Sequence, residues 1–224
     1  MKNLFYILTL LLIITSCNKK WKKTSETDFD VTFVKTKSTV NYFRIDSGYL
    51  HLTNFTFSGN RKKGNAVSFS KTYTSPTVFD IKDEEITTEL SFDIPQGEYT
   101  NIDIDLRFDL VSPDKAVLIK GFFADSGDIE VPFIFELEDR IDINIVATSS
   151  NASTITIVAK ESASPVISFD LVDWFEHIPR NLFEEGNTLY INGQEYLYIN
   201  KINNPSLYSS VLGRIGQTAT ITFN

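Results

Sequence analysis

The chain has 224 residues and a single cysteine, Cys17. One thiol cannot make an internal disulfide, so burial alone must hold the fold together, even in an oxidising compartment. Histidine is nearly as scarce, with only His51 and His177. Neither has a cysteine or a second histidine nearby, and there is no His-Glu-x-x-His run, so a zinc site would need carboxylates converging by fold alone. No Gly-x-Ser-x-Gly elbow and no phosphate-binding glycine loop is present. Basic charge is short as well: 21 Lys and Arg stand against 29 Asp and Glu, a net of −8. That balance disfavours nucleic acid as a partner. No apolar run is long enough to cross a bilayer. The stretch from Leu4 to Ile14 covers 11 residues, where a spanning helix needs about 20.

What is present gives that short run a meaning. One positive charge, Lys2, precedes it, and Ser16 and Cys17 follow it. A charged start, a short apolar core and a small residue before a cysteine form the layout of a bacterial lipoprotein signal. Cleavage before Cys17 and diacylation of its thiol, with chains such as palmitate, would anchor the protein stably, because each buried CH₂ contributes about 0.8 kcal/mol. Residues 1–16 are therefore expected to be a signal peptide and Cys17 the lipidation site. Residues 17–27 are expected to form a polar tether and 28–224 a single domain. Lys19, Lys20, Lys22 and Lys23 cluster in the tether. Beyond residue 27 the chain carries 16 Lys and Arg against 28 Asp and Glu, a net of −12. A basic tether suits anionic headgroups, whereas an acidic head is repelled by them; the same lysines could equally serve only to solubilise a linker.

From Phe29 onward the chain alternates. Phe29, Val31 and Phe33 sit two apart. Tyr49, His51, Thr53, Phe55 and Phe57 read as one strand face, with Leu50 and Leu52 on the other. In Asn101–Leu110, five apolar residues alternate with polar ones, which places one face in a core and one in water. Segments 116–123, 131–138, 140–148, 153–160 and 218–223 continue the pattern. Turn clusters separate them at Asn60–Gly64, Pro95–Gly97, Ser112–Asp114, Asp125–Asp128 and Ser149–Asn151. Many short strands at this spacing predict an all-β fold, a sandwich or a barrel, with an antiparallel β-sandwich as the best reading.

The beat changes after Pro165. Leu171, Trp174, Phe175 and Ile178 fall at i, i+3, i+4 and i+7, which predicts a helical segment over about 169–185, with Asp170 as N-cap and Pro179 ending or kinking it. Asn204 and Pro205 open a second short helix that Gly213 and Gly216 should close. The fold class is thus a β-sandwich with one or two short helices near the C-terminus.

Residues Gly48–Arg61, followed by Ile94-Pro95-Gln96-Gly97-Glu98-Tyr99, carry a resemblance. A strand leading to a polar turn and a Pro-x-Gly-x-Tyr turn opening an alternating strand resemble lipoproteins of Bacteroidota-type bacteria. Their domains are similar to transthyretin-like or fimbrillin-like β-sandwiches. Over residues 40–110 the resemblance implies a fold and an envelope address, and it transfers no catalytic residue. The tether has no acidic cluster of the kind that marks surface-exposed lipoproteins in those bacteria. By resemblance this tilts the address to the periplasmic leaflet of the outer membrane, with the cell surface as the second option.

Several residues invite a site. Asp125, Asp128 and Glu130 place carboxylates in one turn, which would suit Ca²⁺, although Asp and Gly are also ordinary turn residues. Asp103, Asp105, Arg107 and Asp109 line one strand face; paired carboxylates can hydrolyse glycosides, and a solvated outer face explains the same residues. Trp174, Phe175, Tyr190, Tyr196 and Tyr198 could line a ligand groove between helix and sheet, because rigid rings bury much area at little entropic cost. The competing reading has Trp174 and Phe175 capping the core. The expectation is a non-enzymatic, lipid-anchored binding or structural module without a cofactor. Its partners would be the membrane, through Cys17, and an envelope protein or glycan. A fimbria-type subunit or tip protein using strand addition through its terminal strand (Thr218–Phe223) and a glycan-active enzyme are the alternatives.

Overall fold

The computed structural model describes residues 23–37, 42–83, 85–86, 89–111, 114–150 and 152–224. Cys17 and the expected signal segment lie outside the described residues. Among those described, the strands are β1 (Thr24–Asp28), β2 (Asp30–Val34), β3 (Phe43–Arg61), β4 (Val67–Asp80), β5 (Glu85–Ile86), β6 (Ser91–Pro95), β7 (Gly97–Phe108), β8 (Val117–Ala124), β9 (Glu130–Leu137), β10 (Ile141–Ser149), β11 (Ile155–Ile157) and β12 (Val166–Asp170). Helices α1 (Asp173–Glu176) and α2 (Arg180–Glu184) follow, then β13 (Thr188–Ile191), β14 (Gln194–Ile199), α3 (Pro205–Ile215) and β15 (Ala219–Phe223).

The protein is an all-β sandwich with three short helices in its C-terminal part. β1 and β6 form a small sheet, while the rest join one long sheet in the order β13-β14-β9-β8-β3-β7-β10-β15-β12-β2, with β4, β5 and β11 attached off that path. Most pairs are antiparallel. β10–β15, β12–β2 and β14–β9 are parallel, as long crossover connections allow.

The long sheet folds back on itself, so the β2–β12–β15 part covers the β3–β4–β7 part. Aromatic rings fill the space between. Phe29 meets Phe55, Phe92 and Phe223 at 5.2–6.1 Å between ring centres. Phe169 meets Phe33, Phe79 and Phe108 at 5.8–6.2 Å. Past the sandwich, the helices cover β8, β9 and β14. Phe175 contacts Phe43, Phe133 and Phe135, and Tyr208 of α3 stacks on Phe135.

The alternation in β7 translates directly: Ile102, Ile104, Leu106 and Phe108 are fully buried. The long β3 does not follow one alternation. Its buried apolar side chains run Phe43, Ile45, then Leu50, Leu52, then Phe55, Phe57, changing parity twice. β-Bulges between Ile45 and Ser47 and between Leu52 and Asn54 cause both changes, since one extra residue turns the following side chains to the other face. Leu52, Phe55 and Phe57 therefore oppose Phe108, Leu106 and Ile104 on one face. This corrects the reading that set Leu50 and Leu52 against Phe55 and Phe57. Two glycines permit the first bend. A Cβ on Gly48 would lie 2.0 Å from the Leu118 carbonyl oxygen, and one on Gly121 would lie 2.2 Å from that of Arg44.

Three boundaries also change. Thr24–Thr27, expected in the tether, pair with β6 and bury Ser25 and Thr27, so these residues belong to the fold. The helical segment starts at Asp173 rather than 169, because Val166–Asp170 form a strand between β15 and β2. Asp170 still satisfies a helix donor: its Oδ1 accepts the Asp173 N–H at 3.0 Å. Pro179 separates α1 from α2. In α3, Pro205 takes the first turn as expected, but Gly213 sits inside the helix and Gly216 ends it. The Asn204 side chain leaves the cap position to bond Asn187 and Tyr198 backbone groups instead.

Candidate binding cleft

A cleft of about 500 Å³ opens where β8, β9, α2 and the β13–β14 hairpin meet. Each wall has a local cause. On one side, β8 and β9 are joined by the turn Asp125–Asp128. Asp125 Oδ1 accepts the Gly127 and Ile129 N–H groups, both at 2.9 Å, and Asp128 adopts φ 60°. On the other side, β13 and β14 are joined by Asn192-Gly193, both at positive φ, the pair that favours a two-residue hairpin. α2 closes the back. Its Phe183 is wedged against Phe43 and Phe123, at 4.9 and 5.6 Å.

The cleft has an apolar floor of Phe123, Val131, Pro132, Phe183 and Leu197, and its rim bears Asp125, Glu130, Glu184 and Glu195. The carboxylates are held in place. Glu184 Oε1 accepts the Ser126 N–H at 2.6 Å and faces Arg180 at 3.5 Å. Glu195 accepts from the Thr188 hydroxyl at 2.5 Å and from the Tyr190 hydroxyl at 3.4 Å. Glu130 lies 3.6 Å from Arg44. An apolar hollow under fixed negative charge suits a ligand that is part apolar and part cationic.

The expected site residues fall out as follows. Trp174 and Phe175 are fully buried, so neither can meet a ligand. Trp174 donates its indole N–H to the Thr218 hydroxyl at 2.8 Å, and both rings cap the core. This corrects their assignment to a ligand groove. Tyr190 is 75% exposed and Tyr196 bonds Gln194. Both ride on the hairpin, and neither lines the cleft. Of the calcium candidates, Asp125 and Glu130 reach the rim, while Asp128 points to solvent and lies 3.9 Å from Arg180. They do not converge as ligands: among the described residues the one cluster of metal-ligand type is Asp173, Glu176 and His177. On the outer face of the sheet, Asp103 accepts from Asn101 of its own strand, while Asp105 accepts from Asn144 and Arg107 pairs with Asp142, both across on β10.

The Asp173 cluster already holds cations of its own. Lys37 Nζ lies 2.8 Å from both Asp170 and Glu176, and Arg214 Nη2 lies 2.7 Å from Asp173. His177 Nε2 is 3.0 Å from Asp173. Burial on its own would raise the Asp173 pKa, but hydrogen bonds with Glu176, Arg214 and His177 and the Arg214 charge outweigh it and hold the carboxyl at about 2. Lys37 is raised: burial opposes its charge, and the bonds and charges of Asp170 and Glu176 win. These residues tie the end of β12 and α1 to α3 and to the segment after β2. His51 is buried and stacked on Tyr49 at 4.5 Å, and burial pushes its pKa down.

Sequence reasoning passed over Phe123, Phe183, Glu184, Glu195 and Leu197. The Asn192-Gly193 pair between two apolar-polar segments was the signal that could have located the hairpin and, with it, one wall. Comparison with protein-family models, with characterised proteins and with solved structures finds no match.

Proposed function

We propose that this chain is a lipid-anchored envelope protein whose sandwich serves as a binding module, with the cleft beside the β13–β14 hairpin as its ligand site. The observation that carries the reading is the cleft itself: an apolar floor of aromatic and aliphatic side chains under four positioned carboxylates. The signal-like N-terminus supports the address, the outer membrane by way of Cys17 and its periplasmic leaflet first. Among the described residues no helix is long and apolar enough to cross a membrane. The ligand that fits best is a segment of another envelope protein bearing Lys or Arg beside an apolar side chain.

The strand-donation alternative is less well supported. β15 pairs with β10 on one side and β12 on the other, and Ile221 is fully buried, so donating it would open the sandwich. The glycan-enzyme alternative loses Trp174 as a sugar platform.

The test is titration of the isotope-labelled protein with short peptides that alternate Lys or Arg with Leu or Phe. Shifts should map to Phe123, Val131, Phe183 and Leu197. Glu130→Lys combined with Glu195→Lys should weaken binding about tenfold or more, or at least 1.4 kcal/mol. Shifts confined to other surfaces, or affinity unmoved by the charge reversals, would refute the assignment.

A further inference from the structure

The end of the molecule that receives the tether differs in charge from the rest. Gln96, between β6 and β7, donates its N–H to the Lys23 carbonyl at 2.9 Å, so the first described residue sits on this pole. Arg61, at the end of β3, donates to the Gln96 carbonyl at 3.3 Å and to the Asn65 carbonyl at 2.8 Å. The Lys62 N–H donates to the Glu98 carbonyl at 2.8 Å, and its ammonium pairs with the Glu98 carboxylate at 2.9 Å. Lys63 is exposed in the same turn. Three chain segments distant in sequence thus bring Lys23, Arg61, Lys62 and Lys63 together against Glu98. Beside them, Lys160 and Glu161 offset each other, with the Glu161 carbonyl accepting from the Ser25 hydroxyl. The acidic surface begins at the Glu26–Asp93 register pair, two residues inward of Thr24–Pro95, or about 7 Å.

We propose that this basic pole is a membrane-facing surface that rests on anionic phospholipid headgroups and sets the orientation of the domain. The proposal rests on the lipid-anchor reading above. From Cys17 to Lys23 the chain can span only about 20 Å at full extension, so the pole stays within about two Debye lengths of the headgroups at 0.1 M salt. A tether this short lets the pole reach the headgroups, and within a Debye length of them lysines and arginines are attracted to an anionic leaflet, while the remaining surface, net negative, is repelled. The two forces act together and select one orientation. β3 then leads away from the pole: its 19 residues run from Arg61 to Phe43, a straight span shorter than the roughly 60 Å of an ideal strand because two bulges bend it. Phe43 pairs with Phe123, a cleft residue. The cleft is therefore held on the side away from the membrane, open to a partner.

Because the one native cysteine is the lipidated residue, an introduced cysteine takes a single label. The full-length mature protein, purified from membranes, would be labelled at Ala66→Cys beside the pole or at Asp128→Cys beside the cleft. It would then be reconstituted in vesicles of phosphatidylcholine with one third phosphatidylglycerol, containing a headgroup quencher. The Ala66 probe should be quenched several-fold more than the Asp128 probe. The difference should collapse in pure phosphatidylcholine, in high salt, and in the Lys62→Glu, Lys63→Glu variant, while the protein still floats with the vesicles. Flotation with equal quenching at both probes, or with a difference indifferent to lipid charge and salt, would overturn the pole while leaving the anchor intact. Failure to float would remove the anchor and the proposal with it.

Discussion

At the scale of single residues, the fate of each side chain follows from the face it occupies. Ile104 is fully buried on β7 and opposes Phe57 on β3, whereas its neighbour Asp103 lies on the outer face and accepts from Asn101. Ile104→Asp should cost several kcal/mol, since an unpaired charge would replace packed apolar surface. Asp103→Ala should cost about 1 kcal/mol or less. Denaturant unfolding of the two variants separates them, and the reverse ranking would mean that the strand faces the other way. The aromatic residues show where such reasoning from sequence reaches its limit. Helical spacing put Trp174, Phe175 and Ile178 on one face, and all are buried. The pattern cannot tell a face that meets a ligand from one that meets a core, because both favour large rings. Only the packing of Phe175 against Phe43, Phe133 and Phe135 decides.

At the scale of elements, regular strands were legible and irregular ones were not. β7 keeps a period of two from Ile102 to Phe108, so its faces can be read from the sequence there, while the irregularity at Thr100 turns Tyr99 inward out of step. β3 loses that period at two bulges, which leave no mark in composition. β1 was hidden for a different reason. Its Ser25 and Thr27 are buried polar residues, and a polar segment reads as a tether until its partner strand is known. The cleft was hidden because its walls come from β8, β9, α2, β13 and β14, with no local motif to join them. The link between α1 and α3 carries a prediction of its own. The Asp173 carboxyl sits at about 2 in the fold against an ordinary 3.8. A depressed carboxyl contributes stability that is present above the ordinary value and lost as pH falls through the folded one. Acid should therefore weaken the protein between about pH 4 and pH 2. Part of that loss, about 1–2 kcal/mol after solvent screening, should be absent in Arg214→Met, which lacks the cation paired with Asp173. Parallel loss in both proteins across this range would show that the pair does not contribute.

At the scale of the whole molecule, the two ends carry opposite chemistry. Lys23, Arg61, Lys62 and Lys63 gather at one end, and the carboxylates of Glu130, Glu184 and Glu195 gather at the cleft near the start of β3. A net of −12 beyond residue 27 conceals this division, since a sum has no direction. The pairing of Thr24–Thr27 into β1 places this basic end only a few residues from the expected anchor, which makes its position matter. All of this depends on Cys17 being the first residue of a lipidated mature chain. The most direct measurement is the intact mass of the protein extracted from the membrane fraction, with its N-terminal peptide sequenced. A chain beginning at Cys17 and carrying a diacylglyceryl group is the expected result, and Cys17→Ala should abolish it. A chain that retains residues 1–16, or begins elsewhere without lipid, would contradict the anchor and the orientation built on it.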